Sequence, residues 1–222
     1  MNPILLYDID GTLLQVHSDF LRQEIVSILK GLGVVPPVAA RQSFAGQTDR
    51  GIFMELIGDR TDRETLFKAF KQRYIEAMSE RLTPQRVDPF RPAIESVHKA
   101  RERGFEVGLC TGNFREVAML KVAAVGLDGI FTFGGFGCHH ADRNHLPALA
   151  HAEYVTRYNR KPDPEHYVVI GDTPNDIRCA RHFGARVAAV GTGGIPLETL
   201  GAQEPDWLLP DMSSAEQWLD LL

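Results

Sequence analysis

A chain of 222 residues, 44% hydrophobic and 24% charged, has the size and composition of a globular protein able to bury a substantial core. A net charge of −5 gives no electrostatic reason to bind nucleic acid or an anionic membrane surface. No apolar run approaches the ~18 residues of a membrane span, and the N-terminus carries neither the basic segment nor the cleavage site of a signal peptide. The three cysteines, Cys110, Cys138 and Cys179, are scattered without a CxxC pair. That usage fits core packing in a reducing compartment, so a soluble, cytoplasmic protein is expected.

Ile4–Tyr7 is apolar throughout, as in a strand covered on both faces of a parallel sheet. From about Gln15 to about Asp88 no strand pattern is evident. Asp19–Lys30 instead places Leu21, Ile25, Ile28 and Leu29 on one helical face, after a candidate Ser18 cap and before Gly31. Glu64–Met78 is amphipathic in the same way. A helical cap domain over residues 15–86 is therefore expected, inserted between residues 1–14 and 87–222 of a core domain. Its crossings fall near Leu14–Ser18 and Thr83–Pro89.

Strand and helix then alternate. A helix opens at Pro92 and closes at Gly104, followed by a strand at Phe105–Cys110 and a helix from Asn113 to Val125. A weaker strand is expected at Ile130–Phe133 and a helix at Leu146–Tyr154. Tyr167–Ile170 is a strand, Thr173-Pro174 starts a helix ending at Gly184, and Arg186–Val190 and Trp207–Leu209 are strands. This alternation predicts an α/β fold with a doubly wound, Rossmann-like parallel sheet.

Three strand ends carry candidate chemistry. Asp8-Ile9-Asp10-Gly11-Thr12 follows the first strand, and carboxylates at i and i+2 point the same way because strand side chains alternate. Open α/β sheets bind ligands at the carboxyl ends of their strands, where such a pair suits a divalent cation and acid/base work. A solvated turn would also use these residue types. Thr111-Gly112-Asn113 offers a hydroxyl and free N–H groups at a helix start, either a phosphate cradle or a plain N-cap. Gly171-Asp172-Thr173-Pro174-Asn175-Asp176 brings Asp172 to the end of another strand. Thr173 and Asp176 have capping-box spacing, which favours a metal role for Asp172 and a supporting role for Asp176.

Together DIDGTL, TGN and GDTPND, in this order and with a helical insertion after the first, resemble the haloacid dehalogenase superfamily of hydrolases. The resemblance covers the whole chain, and its general architecture is similar to that of phosphoglycolate phosphatases. It implies a phosphatase in which Asp8 attacks phosphorus, while Asp10 protonates the leaving oxygen and then activates water. It further implies Mg2+ held by Asp8, the Asp10 carbonyl and Asp172, with Thr111 and the amides of Gly112 and Asn113 on the phosphoryl oxygens. Dehalogenase members lack an acid at the place of Asp10, so its presence points to phosphoryl transfer on a small-molecule phosphate ester. A sugar-phosphate isomerase of the β-phosphoglucomutase type would use the same intermediate. A non-catalytic binding protein of this fold usually lacks one of the acids kept here.

The family's basic residue has two candidates. Lys161 in Lys-Pro-Asp-Pro has the familiar look, but it precedes the Tyr167–Ile170 strand while Asp172 follows it, roughly 15–20 Å apart at the rise of a strand. Arg143, ahead of the Leu146 helix, corresponds to the family's usual place and suits phosphate and carboxylate charge. Cys138, His139, His140 and His145 cluster without a standard zinc spacing. Gln47, Thr48 and Arg50 of the insertion are candidate substrate contacts, or simply an interhelical turn.

Overall fold

The computed structural model describes residues 2–35 and 44–222. Six parallel strands form the central sheet: β1 (Ile4–Tyr7), β4 (Glu106–Thr111), β5 (Gly134–Phe136), β6 (Tyr167–Gly171), β7 (Arg186–Val190) and β8 (Trp207–Leu209), in the order β5-β4-β1-β6-β7-β8. β1 lies at the centre, its Tyr7 paired with Leu109 on one side and Ile170 on the other. Two short strands outside this sheet, β2 (Leu14–Val16) and β3 (Val87–Pro89), pair antiparallel.

Side-chain alternation divides the core into two layers. Leu5, Tyr7, Val107, Leu109, Val168 and Ile170 face the layer containing α4 (Arg91–Glu102), α5 (Arg115–Ala124) and α9 (Ala215–Leu219). Ile4, Leu6, Cys110, Val169, Val187 and Ala189 face α6 (Leu146–Tyr158), α7 (Pro174–Phe183) and α8 (Leu197–Gly201). Covered on both faces, the central strands are apolar along most of their length, with Glu106 at the amino end of β4 an exception. The fold is α/β with a parallel sheet and helices on both sides.

The edge strand departs from the expectation. It lies at Gly134–Phe136 and not at Ile130–Phe133. The apolar residues before it turn into the core, where Ile130 donates its N–H to Leu127 and Phe131 is buried. The strand itself is glycine-rich because α6 lies directly on it. A Cβ at Gly135 would collide with the Leu146 carbonyl, and one at Gly134 would lie 2.7 Å from the Leu109 carbonyl. A pattern read from apolar residues passes over a strand that close backbone approach has stripped of side chains.

Between β2 and β3 run the helices α1 (Ser18–Gly31), α2 (Asp49–Ile57) and α3 (Arg63–Arg81). Strands thus form at both crossings, inside the stretch where none was expected. Three residues each are too few for a periodic signal, and the pairing Leu14 with Pro89 and Val16 with Val87 supplies what local propensity does not. Ser18 is the first helical residue of α1, with His17 at the cap and no side-chain capping bond. The helical segment meets the core through aromatic packing. Phe114, at the start of α5, lies 5.8 Å from Phe53 of α2 and 5.9 Å from Phe67 of α3, centroid to centroid. Such pairs add about 0.5–1.5 kcal/mol each beyond burial.

Candidate active site

β1 ends at Tyr7, and the chain stays in register for one more residue, Asp8 donating its N–H to Ile170 at 2.9 Å. Ile9 turns into the core, so Asp8 and Asp10 share the opposite side. A tight turn follows, with the N–H groups of Thr12, Leu13 and Leu14 all donating to the Ile9 carbonyl. Gly11 makes it possible on two counts: its φ is +82°, and a Cβ would collide with the Asp172 carboxylate.

Asp8, Asp172 and Asp176 are buried, with carboxylate oxygens all within 4.8 Å of one another. Asp172, after β6, accepts a hydrogen bond from the Thr12 hydroxyl at 3.2 Å. Asp176 stands in the first turn of α7 and accepts from the Thr173 N–H at 3.0 Å and hydroxyl at 2.6 Å, the acidic half of a capping box. Its other oxygen takes Arg143 Nη2 at 2.5 Å, and the same nitrogen lies 3.2 Å from Asp8 Oδ1. Arg143 occupies a short 3-10 turn before α6 and also donates to the carbonyls of Cys110 and Gly46. Lys161 is exposed on the segment leading into β6, at the other end of the sheet.

Crowding raises the proton affinity of these acids. Burial, then the charges of Asp176 and Asp10, push Asp8 up to about 6 against the pull of Arg143. Burial and the charges of Asp176 and Asp8 push Asp172 up to about 8, opposed by the Thr12 hydroxyl and Arg143. Burial disfavours the charge on Arg143, but Asp176 and Asp8 outweigh it and hold the guanidinium protonated more firmly than usual. When all three are ionised, the carboxylates exceed the one guanidinium by two negative charges, the complement of a divalent cation, and hard oxygen donors are what Mg2+ takes.

Asp10 is held differently. Its Oδ2 accepts from Asn113 Nδ2 at 2.7 Å and from Lys121 Nζ at 2.6 Å, while its Oδ1 is buried without a hydrogen-bond partner among the described residues. Asn113 Nδ2 also donates to the buried Thr111 hydroxyl at 2.9 Å. The expected trio Thr111, Gly112 and Asn113 thus sits at the end of β4, but the Asn113 side chain is committed to Asp10. α5 begins at Arg115, two residues later than the sequence suggests.

The helical insertion closes over this end of the sheet. Asp49 donates its N–H to the Gly112 carbonyl at 2.7 Å, and its carboxylate accepts from the Phe114 N–H at 2.8 Å. Thr48 caps α2 by accepting from the Gly51 N–H at 3.0 Å and donates to Ala141 at 2.9 Å. A Cβ on Gly112 would collide with the Gln47 carbonyl, so glycine there lets the two backbones meet. Arg50 turns away, paired with Glu64 at 2.6 Å and lying over Phe67. A small cavity of about 160 Å3 remains beside Arg143, lined also by Gly46, Gln47, Asn175 and Arg178.

Cys138, His139, His140 and His145 do not gather into a metal-ligand set; the His140 and His145 rings stack 4.5 Å apart. Cys138 and His139 instead line a larger cavity of about 600 Å3 along β5 and α6, away from the carboxylates. Two residues escaped the sequence reading. Lys121 shares the buried face of α5 with Val117, Ala118 and Val122, and a lysine on an apolar helical face was the available signal. Asp49 lay unremarked between Thr48 and Arg50.

A six-stranded parallel sheet with these acids at its carboxyl end is the frame of a family of hydrolases, and residues 5–181 match the haloacid dehalogenase-like hydrolase family. The chain belongs to that family. It is 25% identical to the pyrophosphatase PpaX of Anoxybacillus flavithermus, covering 94% of this chain and 93% of that one. It is 23% identical to the phosphoglycolate phosphatase of Mesorhizobium japonicum, covering 86% and 83%. A haloacid dehalogenase-like family hydrolase from Streptococcus pneumoniae superposes with a TM-score of 0.70 at 17% identity, over 98% of both chains. No helix among the described residues is long and apolar enough to cross a membrane.

Proposed function

We propose that this hydrolase is a magnesium-dependent phosphatase acting on a small, soluble phosphomonoester in the cytoplasm through an aspartyl-phosphate intermediate. The observation that carries the reading is the unequal treatment of two carboxylates two residues apart. Asp8 is buried against the Arg143 guanidinium, whereas Asp10 has one anchored and one unpartnered oxygen. A pair of acids in different environments is how a site divides a nucleophile from an acid/base.

In the first step an Asp8 oxygen forms a bond to phosphorus as the bond to the leaving oxygen breaks, and Asp10 gives that oxygen its proton. In the second, Asp10 takes a proton from water, the hydroxyl oxygen bonds to phosphorus, and the Asp8–phosphorus bond breaks to release phosphate and restore both carboxyl groups. Thr111 and the amides of Gly112 and Asn113 hold the phosphoryl oxygens. Asp8, Asp172 and the Asp10 carbonyl would hold Mg2+, which would supply positive charge against the transferring group. Asp176 orients Arg143 as the charge-compensating cation. Residues 15–86 serve as the cap that excludes bulk water from the intermediate. The closeness of the cap and the small cavity beside Arg143 favour a compact substrate.

The names of the relatives make pyrophosphate and phosphoglycolate the first compounds to assay, within a panel of phosphorylated metabolites. Phosphate release in Mg2+ that stops with EDTA and returns on adding Mg2+ is the expected result. Hydrolysis unaffected by EDTA would overturn the metal assignment. Sugar-phosphate isomerisation without phosphate release would overturn the phosphatase reading.

A further inference from the structure

Lys121 is 3% exposed, in the middle of a helix whose other inward residues are apolar. A buried ammonium costs several kcal/mol unless it is paired and hydrogen-bonded, so its partners explain its presence. Nζ donates to Asp10 Oδ2 and to Asn113 Oδ1, both at 2.6 Å, and Asn113 Nδ2 donates to the same Asp10 oxygen at 2.7 Å. The three side chains close a ring of hydrogen bonds. Both ring members that face Asp10 come from the β4–α5 segment, Asn113 just before α5 and Lys121 two turns later. Asp49 of the insertion is the other carboxylate whose charge acts together with Lys121. Arg143 cannot take over this duty, being committed to Asp176, Asp8 and two carbonyls.

We propose that Lys121 is the positioning residue for Asp10. With Asn113 it fixes Oδ2, so that the carboxyl group cannot rotate and keeps one orientation, first toward the leaving oxygen and then toward water. The role rests on the phosphatase reading above. Fixing the plane of a proton-transferring group matters because a displacement of about 1 Å costs on the order of 100-fold in rate.

The test uses two substrates that differ in their need for a proton. The leaving group of 4-nitrophenyl phosphate departs without one, so only water attack on the aspartyl phosphate depends on Asp10; an alkyl phosphate needs Asp10 in both steps. With 4-nitrophenyl phosphate, Lys121→Met should lose about 100-fold in steady-state kcat and still release a rapid burst of about one nitrophenolate per enzyme, with KM little changed. The trapped intermediate should react with hydroxylamine. With an alkyl phosphate the same variant should show no burst. Lys121→Gln keeps a donor toward Asp10 without the charge; it should fall between wild type and Lys121→Met, and it carries the test by the same criteria if the methionine variant does not fold. Turnover by both variants within about threefold of wild type would overturn the role. So would loss of the burst in step with turnover, which marks a generally disordered site. A wild-type protein that cleaves neither ester overturns the phosphatase reading itself, and the role with it.

Discussion

The two ends of the sheet carry similar groups in different surroundings. At the amino end, Glu106 of β4 takes hydrogen bonds from Arg160 and Tyr154, with Lys161 nearby in the chain; the Arg160 side chain is 42% exposed. At the carboxyl end Arg143 pairs with Asp8 and Asp176, and its side chain is 6% exposed. Helices begin at the carboxyl ends of parallel strands and finish at the amino ends. The acids of the first turn of α7 and the turn after β1 therefore converge at one end only. The helical insertion then covers that end, through the Thr48 hydroxyl on the Ala141 carbonyl and the Asp49 N–H on the Gly112 carbonyl. Fewer waters mean a lower effective dielectric, so the same charges interact several times more strongly there. An ion pair at the amino end decorates the surface, and one at the carboxyl end shapes proton affinities and, on the reading above, chemistry.

Substitutions at the two ends should separate accordingly. The largest effect is expected for Asp8→Asn, which removes the proposed nucleophile: kcat should fall by roughly four orders of magnitude or more, measured as phosphate release. Glu106→Gln at the opposite end should leave kcat nearly unchanged, and an Asp8→Asn protein with wild-type turnover would break the comparison at its root. Next comes stability. Arg143→Ala leaves Asp8 and Asp176 buried without their cation and should cost about 3–5 kcal/mol in urea unfolding without added metal. Arg160→Ala, at a pair open to solvent, should cost about 1 kcal/mol or less. Equal losses would mean that burial is not what distinguishes the ends.

Much of this contrast could be read from the chain before any coordinates. Apolar strands ending in Asp8, Thr111 and Asp172 located the carboxyl end, because a residue's place in a parallel strand decides which end it occupies. Counting strand rise likewise put Lys161 at the wrong end from Asp172. What stayed hidden depended on contacts between distant segments. β5 has almost no side chains to announce it, β2 and β3 exist only through each other, and the partners of Asp10 come from α5 and the turn before it, more than a hundred residues away. Lys121 was legible as an anomaly on an apolar face, but its meaning required knowing that α5 begins beside Asp10. Asp49 is a further case, since only closure of the insertion gives it the Phe114 N–H.

Asp49 also yields the smallest and most discriminating prediction about that closure. Burial raises its pKa to about 6, opposed by Lys121 and the Phe114 N–H and reinforced by the charge of Asp10. The folded protein therefore binds the Asp49 proton more tightly than the unfolded chain, where the reference value is 3.8. The resulting stability is fully present below pH 3.8 and is lost as pH rises through about 6. Asp49→Asn is neutral at every pH and keeps an oxygen for the Phe114 N–H. Its stability relative to wild type should improve by about 2 kcal/mol between pH 4 and pH 7.5, as the wild-type carboxylate ionises in a buried place. Urea unfolding of both proteins across that range is the measurement. A difference that stays constant with pH would mean that the contact between Asp49 and α5 is open to water in solution, and the carboxyl end would then owe its dryness to the sheet alone and not to the insertion.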